Sequence, residues 1–458
     1  MAEVKMKYFI RISIMLPVLV LLVAVAGAGT WEKIEVNDAP YISGHTCVFN
    51  GTDGSLYVLG DSLLADANIY RINLDSADKT TIIVASSDTV KRFGHSAVLD
   101  STTDRILVFG GNVGSHYNDL VTNTVYSFDL VNNTWEVLPT TGTDIPAARS
   151  AHSAVFDPQF NRMIIYGGRD VDQIVLNDTY ILDLSVTPAQ WSKANLGYEA
   201  PARWQATAIY DPVRKRMVIF GGVKTNNEPT DELWVLSLAA ASLTSQRWTQ
   251  VFPGNDPGAD LARTAHVMAY DPNADQIVVT SGWAPLTLTE AFYNTSYTFD
   301  FVTGLWALVA PGPDIPLSRR NASGVYDTIH RQMILFGGAY GNDINAVTLN
   351  DMYALKAETR WSPGKGKGDV YNYPNPFNNS TGKTTIKFYC DGSREVKVAI
   401  YSLIGELVKD WTVAGVTGIN SLEWDGANGD GKKVESGGYI CVIDQGGAKS
   451  KFKIGVIR

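Results

Sequence analysis

RILVFGG at 105–111, RMIIYGG at 162–168, RMVIFGG at 216–222 and QMILFGG at 332–338 are four copies of one stretch. Two worn copies, LYVLGD at 56–61 and QIVVTSG at 276–282, belong to the same series. Each is a run of four or five β-branched, aromatic or other apolar residues stopped by glycine, which reads as a short strand running into a turn. Six copies at intervals of tens of residues mean a repeat architecture. The glycines do not mark a phosphate cradle, because a further strand pattern follows them and not a helix.

Upstream of the glycines the spacing is constant. Arg92, Arg149, Arg203, Arg263 and Arg319 each precede an aspartate by eight residues: Asp100, Asp157, Asp211, Asp271 and Asp327. Ten residues further on stand Gly110, Gly167, Gly221, Ser281 and Gly337, and the first repeat fits the same ruler with Ile42, Asn50 and Gly60. A constant interval through two strands and a turn is what a hairpin needs, since one inserted residue would turn every side chain to the opposite face. These are strands a and b. Strand c carries an aromatic in an alternating run (VYSFDL, TYILDL, LWVLSL, SYTFDF, MYALKA, IYRINL), and strand d opens on Trp135, Trp191, Trp248 or Trp306. From b to c the interval varies: Gly111 to Tyr126 is 15 residues, Gly168 to Tyr180 is 12 and Asp61 to Tyr70 is 9. A constant hairpin with unequal loops is the usual division between scaffold and site.

Paired glycines after strand b, an aromatic in c and a tryptophan in d resemble the kelch repeat, over about residues 30–362. The resemblance implies an all-β fold, a six-bladed kelch-type β-propeller over 30–361. Trp31 opens WEKIEV, 11 residues before Ile42, like any d strand before its a strand. We expect it to complete the last blade and close the ring, which removes open sheet edges. Trp361 then leads into the linker. Asp61 and Ser281 replace glycines, so the first and fifth repeats are expected to be the least regular.

The chain has 458 residues, 45% of them apolar, enough for more than one core. Its net charge of −9 with no basic patch argues against nucleic acid as a partner. Lys5, Lys7 and Arg11, the apolar run 12–26 and the small residues AGA at 26–28 read as a signal peptide over 1–28. An uncleaved anchor is the alternative, but the run is short for a span of about 20 residues. The protein is expected to be exported. Its three cysteines, Cys47, Cys390 and Cys441, form no framework and no zinc pattern. Cys390 and Cys441 share the C-terminal segment and are candidates for a disulfide, with two buried thiols as the alternative.

SPGKGKGD at 362–369 is a Gly/Lys linker. Short alternating runs then fill 370–458, the pattern of a β-sandwich. YPNPFN at 373–378, IYSLIGELV at 400–408, EWDGANGDGKKVESGGY at 423–439 and a last strand ending in Arg458 resemble the type A C-terminal sorting domain of the bacterial type IX secretion system. That domain is similar to the Ig-like domain of hook-capping proteins. The resemblance implies a small Ig-like β-sandwich that engages the secretion machinery of the outer membrane, with Tyr373, Pro374, Asn375, Pro376, Phe377, Asn378, Trp424, Asp425, Gly426 and Arg458 as its motif. It places the mature protein outside the cell or on the bacterial cell surface. Asp425, Asn428 and Asp430 read as a turn, because their spacing fails the helical calcium-loop pattern.

His45, His95, His152 and His266 share one repeat position, and two repeats carry Ala206 and Ala322 there. A structural role is favoured over a metal site, because in a ring they stand on different blades. No cofactor is expected. In kelch propellers the d–a and b–c loops share the face around the central channel. The resemblance therefore puts Arg92, Arg149, Arg203, Arg263 and Arg319 at one mouth, where guanidinium forks suit carboxylates, sulfates or acidic peptides. The alternative is that each pairs within its own blade. Residues that do not repeat carry more weight: His116, Tyr117, Arg169 to Asp172, Trp204, Trp283 and Tyr340. The function expected is binding of a protein or glycan by the propeller loops. The alternative is a secreted carbohydrate-active enzyme with its site at the channel mouth, since paired carboxylates leave no sequence signature.

Overall fold

The computed structural model describes residues 29–457 except 62–67, 77, 87–90, 114–119, 245, 256–258, 286–289, 310–312, 342–345, 358–369, 374–376, 381, 391 and 417. The expected signal peptide, the linker, Trp361, His116, Tyr117, Pro374, Asn375, Pro376 and Arg458 lie outside the described residues.

Among the described residues, six sheets follow the repeats, each with four antiparallel strands; the third adds Thr140–Thr141, parallel to Ala189–Lys193. Their first strands are Thr46–Asn50, Ser96–Asp100, Ser153–Asp157, Thr207–Asp211, Val267–Asp271 and Ser323–Asp327. Each pairs with the apolar run that precedes the glycines, and then come strands c and d. All six hairpins share one register, exemplified by Ser153 opposite Tyr166 and Asp157 opposite Arg162. The residue ending strand a sets the turn. Asp157 Oδ1 accepts the Gln159 N–H at 3.1 Å, and Asn50 Oδ1 accepts the Thr52 N–H at 2.9 Å. An Asx turn needs only a short side-chain oxygen, which is why asparagine serves in the first repeat.

The glycines join one sheet to the next. The N–H at the second glycine position donates to the carbonyl that opens strand a of the following sheet: Asp61 to Arg92, Gly111 to Arg149, Gly168 to Arg203, Gly222 to Arg263, Gly282 to Arg319 and Gly338 to Ile42. The last bond returns to the first sheet, so the series closes on itself. The approach leaves no room for a side chain. A Cβ on Gly110, at φ 65°, would lie 2.7 Å from the Arg149 carbonyl oxygen, and one on Gly168, at φ 95°, would lie 2.8 Å from the His152 Cβ.

Gly29–Ile34 is the outer strand of the sheet that carries the last repeat, with Trp31 opposite Leu355. The expected closure by the Trp31 strand is therefore what the pairing gives. Trp31 is buried against Val267, Val278 and Tyr353 of two neighbouring sheets.

Of the two worn repeats, the first is irregular: its strands c and d shift register between Ile69 and Tyr70. The fifth keeps an unbroken register. Ser281 there takes the glycine conformation at φ 61°, and its buried hydroxyl has no hydrogen-bond partner among the described residues. A left-handed non-glycine residue costs about 1 kcal/mol. Ser281→Gly is accordingly expected to raise stability by about 1 kcal/mol, read as a higher urea midpoint; a lower midpoint contradicts this.

Residues 370–457 form a second unit of two sheets. One holds Val370–Tyr373, Thr384–Cys390 and Gly418–Trp424. The other runs in the order Phe377–Asn378, Ala448–Ile457, Gly437–Gln445, Arg394–Ser402, Leu407–Gly415. Ile386, Phe388 and Trp424 of the first meet Val398, Ile400 and Ile443 of the second in one core. Of the motif residues, Phe377, Trp424 and Gly426 pack within this unit. Phe377 packs edge-on to Trp424 at 5.5 Å, Trp424 Nε1 donates to the Ala427 carbonyl, and Gly426 at φ 77° lies against Asn379. Asp425, Asn428 and Asp430 do form a turn, with Asp425 paired to Lys433 Nζ at 3.0 Å and Asn428 Oδ1 accepting two backbone N–H groups.

The candidate disulfide is not formed. Cys390 and Cys441 are buried thiols on different sheets. The Cys390 sulfur packs over Gly415, where an added Cβ would lie 2.7 Å away. Burial pushes the Cys441 thiol up to about 12.

Candidate functional site

The five arginines that open strand a do not face the channel. Arg149, Arg203, Arg263 and Arg319 are fully or almost fully buried, and Arg92 is 2% exposed. Each guanidinium turns into its own sheet and donates from Nη1 to the carbonyl 18 residues on, at the first glycine position: Gly110, Gly167, Gly221, Ser281 and Gly337, at 2.9–3.3 Å. A second partner stands two residues before the aromatic of strand c. Asp178, Glu232 and Asp351 pair with Arg149, Arg203 and Arg319 at 2.6, 2.6 and 2.5 Å. In the fifth repeat Thr295 takes that place, and Arg263 Nη2 bonds its hydroxyl at 3.0 Å. In the second the Arg92 guanidinium lies 4.6 Å over Tyr126. The expectation that these arginines form a ligand site is therefore wrong. A buried guanidinium must be satisfied from within, and every sheet supplies the same carbonyl.

The histidines are structural as well. The Nε2 atoms of His95, His152 and His266 meet Thr46, Ser96 and Thr207 hydroxyls of the preceding sheet at 2.8, 2.8 and 2.6 Å. Burial holds His45, His152 and His266 down to about 3 and His95 well below its usual value. Folded values lie below the unfolded one, so stability is full above about pH 6.5 and is lost as pH falls from there toward 3, by about 1.4 kcal/mol per pH unit for each histidine. His266→Ala, with the residue that Ala206 and Ala322 already supply in two sheets, should flatten the slope of stability between pH 6.5 and 4 by one histidine's share. An unchanged slope in urea titrations at several pH values contradicts this.

The channel mouth is built one and two residues further along. All six sheets contribute from just before strand a to a single cavity of about 470 Å³, which places it on the axis of the ring. Gly44, Gly94, Ala151, Gln205, Ala265 and Asn321 sit there at φ 49–66°. Four of them donate to the matching residue of the neighbouring sheet: Gly44 to Asn321, Asn321 to Ala265, Gln205 to Ala151 and Ala151 to Gly94. This backbone collar leaves two variable positions per sheet. One follows the constant arginine: Phe93, Ser150, Trp204, Thr264 or Arg320. The other follows the second glycine: Asn112, Arg169, Val223, Trp283 or Ala339. In the second to sixth sheets the two are paired across the mouth by a bridge or two-residue ribbon, as Ser150 with Arg169 and Trp204 with Val223.

Arg169, Trp204 and Trp283, singled out above as residues that do not repeat, do line the cavity. Tyr340 does not; it stands half exposed on the ribbon of Ala339–Tyr340 and Val347–Thr348. Arg320 was missed, although the Arg319-Arg320 pair breaks the pattern of the other repeats. Two inter-sheet pairs result. The Arg169 guanidinium lies 3.5 Å over the Trp204 ring, and that of Arg320 lies 5.0 Å over Trp283. Trp283 is stacked in turn on Phe292, with ring planes 16° apart.

Residues 114–284 match the model of the KLHDC2/KLHL20/DRC7 kelch-repeats domain, and residues 23–174 match that of the attractin/LZTR1 β-propeller. The chain carries a kelch-repeat β-propeller. Its repeats are similar to part of the putative adagio-like protein 2 of Oryza sativa subsp. japonica, 26% identical over 48% of this chain and 33% of that protein. They are also similar to dynein regulatory complex subunit 7 of Chlamydomonas reinhardtii, 35% identical over 29% of this chain and 11% of that one. These alignments span a third or less of each relative's own length. The solved structure of YjhT resembles the propeller at a TM-score of 0.52 and 14% identity, covering 69% of this chain and 99% of that one; this likeness concerns the fold alone. Kelch-repeat proteins generally mediate protein interactions.

Proposed function

We propose that this is an exported binding protein, whose propeller receives a protein or glycan partner at the channel mouth. The observation that carries this is the placement of the residues that differ between repeats. The constant arginines, aspartates and glycines are consumed inside the scaffold, whereas Phe93, Ser150, Arg169, Trp204, Trp283 and Arg320 line one cavity. A cavity of about 470 Å³ lies within the range of ligand pockets, roughly 300–1,000 Å³. We read the six sheets as six blades; the six glycine-to-strand bonds support that count.

The C-terminal unit is read as an Ig-like sorting domain that engages the secretion machinery of the outer membrane. The four motifs in order support this reading, as does a two-sheet core separate from the propeller cores. Read as a leader at 1–28 and a sorting domain, these two segments support a location outside the cell or on its surface.

The mouth is tested with Ser150→Trp. Trp204 occupies the same position in the next sheet, so the backbone accepts the larger residue, and the indole fills the cavity. Full-length protein and this variant are compared on peptide and glycan arrays. Ligands captured by the first and lost with the second support the mouth as the binding face; capture unaffected by the variant contradicts it. Deleting residues 370–458 should leave the protein trapped in the cell envelope. Normal surface display of that truncation would overturn the sorting assignment.

A further inference from the structure

Three buried N–H groups of cavity-lining residues have no acceptor among the described residues: Nε of Arg169, Nε1 of Trp204 and Nε1 of Trp283. They come from the third, fourth and fifth sheets. A buried donor left unmet is costly, so three at one cavity call for a ligand rich in acceptors. The scaffold shows which acceptors suffice. Arg263 is fully buried, and its Nη1 donates to two backbone carbonyls, Ser281 at 2.9 Å and Thr295 at 3.0 Å. The terminal nitrogens of Arg162 donate to the carbonyls of Ala241, Leu238 and Ala240 at 2.6–3.0 Å. Peptide carbonyls therefore meet buried guanidinium N–H groups elsewhere in this fold.

The rim decides what flanks those carbonyls. Three b–c loops each carry a pair of exposed apolar side chains: Val113 and Leu120 on the second sheet, Val171 and Ile174 on the third, Tyr340 and Val347 on the sixth, all at least 38% exposed. Each pair stands directly beyond the variable position that follows the second glycine. The Val113 N–H donates to the Leu120 carbonyl at 2.8 Å, the Asp170 N–H to the Ile174 carbonyl at 3.2 Å, and Tyr340 pairs with Val347. An apolar rim of this kind is a surface that a protein partner covers. A sugar ring finds no platform on aliphatic side chains; one face of Trp204 is covered by Arg169, and Trp283 is stacked on Phe292. Charge narrows the partner further. Asp170 and Asp172 follow Arg169 on the same loop, with Asp172 exposed, in a chain of net charge −9. A run of acidic residues would be repelled there.

Resting on the reading of the mouth as the binding face, we propose that it takes an extended, uncharged apolar segment of a partner protein. Backbone carbonyls of that segment accept from Arg169 Nε and from the indole N–H groups of Trp204 and Trp283. Its side chains pack on the apolar pairs of the rim. A helix does not fit this role, because its own hydrogen bonds consume its carbonyls. An extended segment keeps them free and turns successive side chains to opposite sides, so carbonyls and apolar contacts are offered together.

The test presents a displayed library of random linear dodecapeptides to the full chain. Enriched peptides are then made with both ends blocked and titrated calorimetrically. Enrichment of Val, Ile, Leu and Phe with depletion of Asp and Glu is expected, with binding at one site. Affinity should change by less than about twofold between about 0.05 and 0.5 M salt, because no ion pair holds the segment. Arg169→Met, which cannot donate, should weaken binding about tenfold, and so should the double variant Val171→Ser/Ile174→Ser. The double variant changes exposed loop positions only and serves if Arg169→Met fails to fold. No enrichment, or enrichment of acidic peptides whose binding falls steeply with salt, overturns the proposal. Capture of a neutral glycan on an array, lost with the double variant, overturns the protein assignment. Dimerisation of the full chain in sedimentation, lost with the double variant, overturns a separate partner in favour of a second copy. Peptide binding abolished by Ser150→Trp but untouched by the Arg169 and Val171/Ile174 variants removes this proposal and leaves the mouth as the binding face. Binding untouched by all of them removes both.

Discussion

Arg319→Met is expected to cost about 3–5 kcal/mol of folding stability, the usual range for removing one partner of a buried ion pair. Arg319 is fully buried. Its Nε donates to the Leu317 carbonyl at 3.0 Å, Nη1 to the Gly337 carbonyl at 2.9 Å, and both terminal nitrogens grip Asp351 at 2.5 and 3.0 Å. Methionine fills part of the volume but meets none of these acceptors, and it strands Asp351 and the glycine carbonyl together. The carbonyl of residue 319 also receives the Gly282 N–H of the preceding sheet at 2.7 Å, so disorder here reaches a second sheet. Urea unfolding followed by tryptophan fluorescence measures the loss. A change below about 1 kcal/mol, the scale of an exposed pair, would mean that the arginine is not part of the scaffold.

The second large effect concerns closure. Trp31→Ala is expected to cost about 3–5 kcal/mol, the range for emptying a buried tryptophan site. Trp31 is 3% exposed, its Nε1 donates to Ser296 Oγ at 3.2 Å, and its ring meets Tyr353 edge-on at 6.4 Å. Removing the whole strand Gly29–Ile34 should be worse, because it bares the edge of Met352–Ala357 along its full length. A long bare edge is a template for pairing with another chain. Calorimetry should show a lower and broader transition for Trp31→Ala. Size-exclusion chromatography of the strand deletion should show oligomers. A deletion that stays monomeric and melts like wild type would mean that closure contributes little.

Much of the scaffold was legible in the chain because hairpin register leaves a periodic trace. The constant arginine-to-aspartate-to-glycine ruler corresponds to strand a, its Asx turn and the glycine junction to the next sheet. The direction of the arginine was not legible. A side chain at the start of a strand points either to the channel or into the sheet, and spacing alone does not choose. The acceptor that decides it is a backbone carbonyl, which every sequence has. The carboxylate partners Asp178, Glu232 and Asp351 were hidden by the uneven b–c loops, although they keep a constant place two residues before the aromatic. The mouth was partly legible. Arg169, Trp204 and Trp283 stood out as departures from the repeat, whereas Arg320 looked like an extension of its scaffold neighbour. A residue shared by every repeat serves what every repeat must do, so the site was to be sought in positions adjacent to the constant ones. The cysteines show the same limit: strand patterns put Cys390 and Cys441 in one C-terminal segment but did not say whether their sulfurs meet, and both are free thiols.

Arg319 is constant and buried within its sheet, whereas Ser150 is variable and lines the cavity, and comparing them is the most direct test of this division between scaffold and site. Arg319→Met and Ser150→Trp are measured side by side for urea midpoint and for capture on peptide and glycan arrays. The first should lower the midpoint and leave capture by the folded protein unchanged. The second should leave the midpoint close to wild type and abolish capture. Loss of capture with Arg319→Met at an unchanged midpoint, or a large loss of stability with Ser150→Trp at unchanged capture, would contradict the account.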